Sequence, residues 1–332
     1  MNIIRNQKSY TSILSGFLAQ TYIIQLDPKI GTNFHLASFN DTNFNVSMNI
    51  KWKVGKFIMN VKLVIADIDG TLVNYGKNIM PLTRQALIDL HEKGVLLGIA
   101  SGRPVGEQLK ANAQRWGLDF QFDVIIGMNG GQLLDVRNDS YQEFYKLKGE
   151  VIHEIIDMMR PLDLNPFVYK TGYMLSGRLD EEMKASAVRN HEPALPVKDE
   201  TELWEEDNAK LLFRLPPNPE EVKRIVAFAA AHPKPYYQSF LSGPKMLEFQ
   251  DPRVNKGVAL IEYCRANNID LSEVIAIGDA SNDNDMLKVA GIGVCLKSGT
   301  PDTLAIADVI TDYDCDEDGT GRYLYDYVLN VG

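Results

Sequence analysis

Two aspartates separated by one residue occupy the segment 67–71, which reads Asp-Ile-Asp-Gly-Thr. The preceding residues, 61–66, are apolar apart from one lysine, as is typical of a strand buried on both faces of a parallel sheet. Ligand sites of open α/β sheets lie beyond the carboxyl ends of the strands, where these aspartates fall. One carboxylate could act as a nucleophile and metal ligand and the other as a proton donor and acceptor, while Thr71 could donate a hydrogen bond to a phosphate oxygen. Alone, the segment could also be an Asp-Gly turn that ends the strand.

Three further polar motifs occur where strands are predicted to end or helices to begin. Ser101 and Gly102 follow a second apolar run and are predicted to begin a helix with Pro104 in its first turn, so that a hydroxyl and backbone N–H groups could bind an anion. Lys256 precedes an apolar helical stretch and could place a cation beside a phosphate. Asp279 follows another apolar run and delivers a carboxylate to the same sheet edge. Each motif alone also fits a helix cap, a turn or a solvated lysine.

The four motifs are predicted to converge at one edge of the sheet. Asp67, Ser101 and Asp279 each end a predicted strand, and Lys256 opens the helix that leads to the strand ending at Asp279. Mg²⁺ is commonly held by one or two carboxylates together with water and phosphate oxygens, and Asp67, Asp279 and a backbone carbonyl near Asp69 fit that need. Phosphoryl transfer requires mainly positioning and charge neutralisation. The residues therefore predict a phosphoryl-transfer site that uses Mg²⁺.

Apolar runs alternate with helical stretches over most of the chain. The clearest helix is predicted at residues 82–93, where four apolar residues from Leu82 to Leu90 share one face and Gly94 ends the helix. The predicted core strands are residues 61–66, 95–100, 123–128, 274–277, 291–296 and 308–311. Strands that alternate with helices predict an α/β fold with a doubly wound parallel sheet.

The chain is predicted to divide into three parts. Residues 1–58 are rich in Asn, Ser and Thr, lack a sustained hydrophobic period, and are predicted to be a poorly ordered tail or a spurious extension. Residues 59–147 and 247–332 are predicted to form the core. Residues 148–246 separate the two core segments and have helical and strand-like stretches of their own, so they are predicted to form a second α/β unit over the sheet.

Composition and charge narrow the classes of partner. The net charge of −10 leaves no basic excess to neutralise nucleic-acid phosphates or an anionic membrane, so neither partner is predicted. No stretch reaches the roughly 18 apolar residues of a membrane span, and no clear signal-peptide cleavage site is present. The three cysteines are scattered without a paired spacing, which disfavours a zinc site. These features favour a cytoplasmic protein with a small-molecule partner and give no indication of oligomeric state.

With these four motifs the chain resembles the haloacid-dehalogenase-like (HAD) phosphohydrolases, and specifically the Cof-type members that carry a large α/β cap of type IIB. The motifs occur in the family's order, at residues 67–71, 101–103, 255–257 and 278–283. The resemblance extends from residue 61 to the C-terminus, whereas residues 1–58 have no counterpart in the family pattern. It implies a Rossmann-like catalytic core with an inserted cap domain, and Mg²⁺ as the cofactor.

The resemblance also implies roles for individual residues. Asp67 would be the nucleophile that forms a phosphoaspartate, and Asp69 would first protonate the leaving group and then activate water. The Mg²⁺ ligands would be Asp67, Asp279 and the backbone carbonyl of Asp69. Asp283 would support these residues without binding the metal itself. The residues expected to bind or approach the phosphorylated substrate are Thr71, Ser101, Gly102, Arg103, Asn129, Lys256 and Asn282.

These residues predict a Mg²⁺-dependent phosphatase for a small metabolite, of the sugar phosphate, pyridoxal phosphate or flavin mononucleotide class. A phosphomutase with the same nucleophile is the alternative among enzymes, and a catalytically silent ligand-binding homologue is the alternative outside them. A silent homologue is expected to have lost one of its catalytic groups, whereas Asp67, Asp69, Lys256 and Asp279 are all present. Specificity is expected to come from the cap, where the candidate contacts are Tyr169, Arg178, Arg214 and Tyr237.

Overall fold

The computed structural model describes the backbone of three strands near the N-terminus and residues 60–190, 192–242 and 245–330. The three strands pair in an antiparallel sheet of their own: β1 (Tyr22–Leu26), β2 (Phe34–Ser38) and β3 (Ser47–Met48). They belong to a unit, Met1–Phe57, that is distinct from the unit Ile58–Gly332. Apart from these strands, the predicted tail at residues 1–58 lies outside the described residues.

The larger sheet begins with five strands, of which the first three alternate with helices and the last three follow one another without an intervening α-helix. In chain order the elements are β4 (Leu63–Asp67), α1 (Pro81–Glu92), β5 (Leu96–Ala100), α2 (Glu107–Lys110), α3 (Asn112–Arg115), β6 (Val124–Gly127), β7 (Gln132–Asp135) and β8 (Ser140–Glu143). β4 is buried throughout because its side chains alternate between two hydrophobic clusters, with Val64 in one and Leu63 and Ile65 in the other. The first three predicted core strands are confirmed.

Two local predictions in this part of the chain were wrong. Leu82, expected on the buried face of α1, is exposed, and Thr83 is buried instead because its N–H and hydroxyl both bind Asp318. The helix expected to begin at Ser101 begins only at Glu107. The Ser101 side chain instead accepts a bond from the N–H two residues further on, which is typical of a turn.

An inserted unit follows β8 and contains a second sheet. Its elements are α4 (Gly149–Met159), β9 (Pro166–Lys170), β10 (Tyr173–Ser176), α5 (Glu181–Asn190), β11 (Ala194–Pro196), β12 (Lys210–Arg214), α6 (Pro219–Ala230), β13 (Gln238–Leu241) and β14 (Met246–Gln250). The strand order is β11-β10-β9-β12-β14-β13, and every pair except β10 with β11 is antiparallel. One face of this sheet packs against α4 and α6 through residues such as Val168 and Phe213.

The end of the inserted unit differs from the boundary that the sequence suggests between residues 246 and 247. That boundary falls inside β14, which pairs along its length with β12 and β13. Sequence periodicity identifies β14 as a strand but carries no information on which sheet it joins. The elements β10, α5 and β11 were not predicted, since α5 has few apolar residues and β11 has only three residues.

The chain then returns to the larger sheet. The remaining elements are α7 (Lys256–Ala266), β15 (Val274–Gly278), α8 (Asn284–Val289), β16 (Ile292–Cys295), α9 (Pro301–Ile306), β17 (Val309–Ile310) and α10 (Gly319–Leu324). The strand order is β17-β16-β15-β4-β5-β6-β7-β8, parallel from β17 to β6 and antiparallel thereafter. Because α1 and α7 pack on opposite faces, the predicted doubly wound α/β fold is confirmed. Within the described ranges, no helix has both the length and the apolar character needed to cross a membrane.

Candidate active site

The candidate site lies at the carboxyl ends of three neighbouring strands of the larger sheet. β4, β5 and β15 are adjacent and parallel, and Asp67, Ser101 and Asp279 stand at their ends or directly after them. Helix α7, which begins at Lys256, packs on the same sheet. Because the carboxyl ends of parallel strands meet at one edge, the topology brings these four residues together.

Lys256 lies at the centre of this group, and its side chain has no exposed surface. Its Nζ donates hydrogen bonds to Asp67 Oδ1 at 2.5 Å and to Asp283 Oδ1 at 2.6 Å. Burial opposes the charge on Lys256, but the attraction of Asp283 and Asp67 outweighs it and raises the pKa of the lysine above its usual value. Lys256 is therefore held as a buried cation.

Asp67 has one anchored and one available carboxylate oxygen. Oδ1 is bound to Lys256, whereas none of the described residues donates a hydrogen bond to Oδ2. Burial raises the pKa of Asp67 well above its usual value; Lys256 opposes this rise, and the charges of Asp283 and Asp279 add to it. A carboxylate in this state is suited to nucleophilic attack once a further cation offsets the neighbouring negative charge.

Asp279 is oriented by the segment that follows β4. Thr71 Oγ1 donates to Asp279 Oδ1 at 2.8 Å, so the hydroxyl expected at a phosphate is directed to this acid. Gly70 has a φ of +91°, and a Cβ at this position would lie 2.7 Å from Asp279 Oδ2. Burial, together with repulsion from Asp283, raises the pKa of Asp279 to about 6.

Three carboxylates are close enough together to bind one divalent cation. Oxygen atoms of Asp67, Asp279 and Asp283 lie within 4.8 Å of one another. Both oxygens of Asp283 are already engaged, Oδ1 by Lys256 and Oδ2 by the N–H groups of Asp279 and Ala280 at 3.0 Å each. Asp67 and Asp279 therefore remain as carboxylate ligands. Mg²⁺ usually takes one or two carboxylates alongside water and phosphate oxygens, so this donor set fits Mg²⁺.

Asp69 forms two ion pairs that are partly open to solvent. Its Oδ1 accepts a bond from Lys77 Nζ at 2.6 Å, and its Oδ2 accepts one from Arg103 Nη2 at 2.7 Å. Arg103 belongs to one of the four sequence motifs, whereas Lys77 belongs to none of them and lies in a turn at a φ of +64°. The position of Lys77 depends on how this turn folds back onto Asp69, and residue spacing does not show that.

The remaining predicted phosphate-site residues form one cluster on three adjoining loops. The Ser101 hydroxyl accepts a bond from Arg103 N at 3.2 Å, and the Ser101 carbonyl accepts one from Asn129 N at 3.0 Å. Asn129, in the left-handed region with a φ of +55°, accepts a bond from Asn282 Nδ2 at 3.2 Å. Gly102 adjoins them, since a Cβ there would lie 3.1 Å from Asn129 Oδ1.

The inserted unit contacts this cluster through Lys210, which belongs to none of the four sequence motifs. Lys210 of β12 donates from Nζ to the Gly102 carbonyl at 2.8 Å. The ring of Tyr169 lies 5.7 Å from the same ammonium group. Arg214 follows Lys210 by four residues along the strand. Tyr169 and Arg214 therefore lie on the same face of the inserted sheet as Lys210. Two of the four candidate cap contacts therefore lie on the face that reaches the core.

The other two candidate cap contacts lie elsewhere. Tyr237 is buried in the cluster formed with α4 and α6, and its hydroxyl donates to the His232 carbonyl at 2.8 Å. Arg178 pairs with Asp163 at 2.9 Å and lines a cavity that includes Phe213, on the face packed against the helices. Sequence alone did not show which face of the inserted sheet each residue occupies.

Residues 64–324 match the family model of the haloacid dehalogenase-like hydrolases. This match covers most of the chain, so the protein belongs to that family. The HAD-like, Cof-type resemblance noted from the four motifs is thereby confirmed, as is the fold that it implies.

Individual relatives are similar over most of their own length. The chain is 28% identical to a protein of Streptococcus pyogenes serotype M6 that is named as a phosphatase, over 82% of this chain and 100% of that protein. A haloacid dehalogenase-like hydrolase from Bacteroides thetaiotaomicron has a similar structure, with a TM-score of 0.70 at 27% identity, over 80% of this chain and 99% of the other. The HAD subclass IIB sugar phosphatase BT4131 shares the fold, with a TM-score of 0.67 at 23% identity, over 81% and 100% of the two chains.

Proposed function

We propose that this hydrolase is a Mg²⁺-dependent phosphatase that forms a phosphoaspartate on Asp67 while it hydrolyses a small phosphorylated metabolite. The observation that carries the proposal is the buried ammonium group of Lys256, 2.5 Å from a carboxylate whose second oxygen is available. Such a cation favours the approach of a phosphate dianion to Asp67. The phosphatase names of the relatives support the same reaction, and sugar phosphates, pyridoxal phosphate and flavin mononucleotide are the substrates to test first.

The side chains of this protein would supply the nucleophile and the proton transfers. Lys256 anchors Oδ1 of Asp67, which leaves Oδ2 to attack phosphorus in line with the departing oxygen. Asp69 would give that oxygen a proton and later accept a proton from the water that hydrolyses the acyl phosphate. Because both Asp69 oxygens are paired with Lys77 and Arg103, the substrate must displace at least one of these pairs.

Asp67 and Asp279 would hold Mg²⁺, with the backbone carbonyl of Asp69 as a third protein ligand. When bound there, the cation supplies positive charge that offsets repulsion between the carboxylates and the phosphate oxygens. Burial raises the pKa of Asp67 and of Asp279, so both acids gain from a nearby cation that favours their ionised forms. The phosphate oxygens would be bound by Lys256, Ser101, Gly102, Asn129 and Asn282.

Phosphate release from a panel of phosphorylated metabolites, with Mg²⁺ and with excess chelator, tests the proposal. We expect Mg²⁺-dependent release from at least one substrate. Asp67→Asn keeps the size of the side chain but removes the nucleophile, so we expect this variant to lose nearly all turnover and to yield no acyl phosphate on acid quench. Comparable turnover in the variant would refute the role of Asp67. Interconversion of phosphate isomers without phosphate release would indicate a phosphomutase.

A further inference from the structure

Two charged residues of the inserted sheet are buried but have no part in the chemistry proposed above. Lys210 in β12 and Glu248 in β14 form an ion pair at 2.9 Å, and their side chains are only 2% and 4% exposed. In these adjacent strands Leu212 lies opposite Glu248, so Lys210 and Glu248 occupy the same face of the sheet. Removing two charges from water is costly unless further hydrogen bonds satisfy them.

The further hydrogen bonds of this ion pair are made to the catalytic core. Lys210 Nζ donates to the Gly102 carbonyl at 2.8 Å, and Asn129 Nδ2 donates to Glu248 Oε2 at 3.3 Å. Asn129 in turn accepts a bond from Asn282 Nδ2 at 3.2 Å. The ion pair therefore bridges the loops that carry the proposed phosphate-binding groups.

The hydrogen bond from Lys210 to the Gly102 carbonyl also affects the hydrogen bonding of the Ser101 hydroxyl. The carbonyl of Gly102 and the N–H of Arg103 belong to one planar peptide unit, so a bond that fixes the carbonyl also fixes the N–H. That N–H donates to Ser101 Oγ at 3.2 Å. Because the Ser101 oxygen accepts this bond, its hydroxyl proton is kept for another acceptor, which in the proposed reaction is a phosphate oxygen.

We propose that Lys210 and Glu248 are positioning residues, through which the inserted unit (the cap) orders the phosphate-binding loops of the core. This inference rests on the proposed function and deepens it. Lys210 acts through the Gly102 peptide and Ser101, and Glu248 acts through the amide group of Asn129. Since the phosphate group is common to all substrates, the ion pair affects every phosphate ester alike, whatever its leaving group.

The double variant Lys210→Met, Glu248→Met separates positioning from stability. Replacing a buried ion pair by apolar residues of similar volume is often neutral for stability, so we expect the variant to fold, with a thermal midpoint lowered only by the lost partners of the Gly102 carbonyl and the Asn129 amide group. We expect kcat/KM to fall by about 10- to 100-fold, by analogy with the loss when the hydrogen-bond partners that orient metal ligands are removed. The factor should be the same for p-nitrophenyl phosphate, a sugar phosphate and pyridoxal phosphate. Binding of inorganic phosphate, measured by calorimetry, should weaken in parallel.

An exposed ion pair of the cap provides the matched control. Lys234 and Glu154 are 2.9 Å apart, with side chains 44% and 40% exposed, and replacing both by Met should leave kcat/KM within about twofold of wild type. The inference is overturned if the folded Lys210→Met, Glu248→Met variant keeps wild-type kcat/KM, or if its loss depends on the leaving group.

A second variant tests the inference if the double variant does not fold. Glu248→Gln then decides the question, because it removes the charge and keeps the size of the side chain. Weaker binding of inorganic phosphate by Glu248→Gln supports the inference, and unchanged binding overturns it. A wild-type protein without phosphatase activity would refute the proposed function, while phosphate calorimetry on the same proteins would still test the ion pair.

Discussion

The ammonium group of Lys256 lies 2.6 Å from a carboxylate oxygen of Asp283, and neither side chain has any exposed surface. The second oxygen of Asp283 accepts hydrogen bonds from the N–H groups of Asp279 and Ala280. One carboxylate therefore holds both the lysine and the backbone that follows β15. Gly278 permits this arrangement, since a Cβ there would lie 2.6 Å from the Asp283 side chain. Asp283 therefore fixes the position of the lysine that anchors Asp67.

Replacing Asp283 by Asn should reduce both stability and activity. Asn keeps the shape of the side chain but leaves Lys256 with only one of its two charged partners, and breaking a buried ion pair costs about 3 kcal/mol or more. We expect the free energy of unfolding, measured with urea, to fall by about that amount. We expect kcat/KM to fall at least about 10-fold because Lys256 and Asp279 are no longer held in place.

Asp285→Asn is the matched control for this substitution. Asp285 lies two residues further along, is 52% exposed, and pairs with Lys288 at 3.8 Å. An exposed ion pair of this kind contributes little to stability, so the free energy of unfolding should change by less than about 0.5 kcal/mol. Equal effects of the two substitutions would show that the buried pair has no special role.

The raised pKa of Asp279 predicts how stability depends on pH and Mg²⁺. Burial and the charge of Asp283 raise this pKa to about 6 from the ordinary value of 3.8. Between these two values the folded, metal-free protein binds more protons than the unfolded chain, so the free energy of unfolding decreases as the pH rises. The decrease due to Asp279 is complete by about pH 7, once the folded-state carboxyl is fully ionised, and amounts to up to about 3 kcal/mol. Mg²⁺ favours the ionised acid, so it should stabilise the protein more at about pH 7 than at about pH 5.

Urea unfolding at several pH values, with and without Mg²⁺, measures this effect in the wild type and in Asp279→Asn. The variant has no carboxyl group to titrate at this position, so its free energy of unfolding should depend less on pH between about pH 4 and pH 6. Mg²⁺ should also stabilise it less. Identical pH profiles for the two proteins would contradict the raised pKa.

Sequence predicts the position of Asp67 and Asp279 because local patterns determine it. An apolar run followed directly by an acid places that acid at a strand end, and the parallel topology then brings the strand ends together. The predicted strands before both aspartates are β4 and β15 within about one or two residues. The chemistry of these acids could therefore be anticipated from spacing alone.

Lys210 and Glu248 could not be found in this way, because their importance comes from pairing between distant parts of the chain. The sequence separation between Lys210 and Gly102 is 108 residues, and that between Glu248 and Asn129 is 119. Each residue lies in a stretch that reads only as a strand, and its face is decided by the register of β12 against β14. The displaced start of α2 has a similar origin, since the turn at Ser101 depends on a side-chain bond that propensities do not reveal.

Asp318 is expected to stabilise the fold without a role in turnover. Its carboxylate accepts bonds from the N–H groups of Leu82 and Thr83 at 2.7 and 2.8 Å, and from the Thr83 hydroxyl at 2.6 Å. It therefore caps helix α1, whose own N-cap residue offers no side-chain bond. Asp318→Ala should lower the free energy of unfolding by about 3 kcal/mol, combining a lost cap with the strain of a non-glycine residue at a φ of +63°.

Asp318→Asn should have a smaller effect, about 1 kcal/mol, because Asn keeps one acceptor oxygen and tolerates a left-handed backbone. Urea unfolding measures both losses. At temperatures where the variants are folded, kcat/KM should stay within about twofold of wild type, since Asp318 contacts α1 and not the candidate site. A large loss of kcat/KM in folded Asp318→Asn would assign this residue a role beyond capping.

Gly70→Ala should weaken the response to Mg²⁺, and Gly94→Ala provides its control. Both glycines have a left-handed backbone, with φ values of +91° and +77°, so backbone strain alone should lower the free energy of unfolding of each variant by roughly 1 to 2 kcal/mol. The two sites differ in their surroundings, since a Cβ at Gly70 would lie 2.7 Å from Asp279 Oδ2, whereas a Cβ at Gly94 meets nothing within 4 Å. Displacement of Asp279 should raise the Mg²⁺ concentration for half-maximal activity by about 10-fold or more in Gly70→Ala and leave it unchanged in Gly94→Ala. The same Mg²⁺ dependence in both variants would remove Asp279 from the proposed metal site.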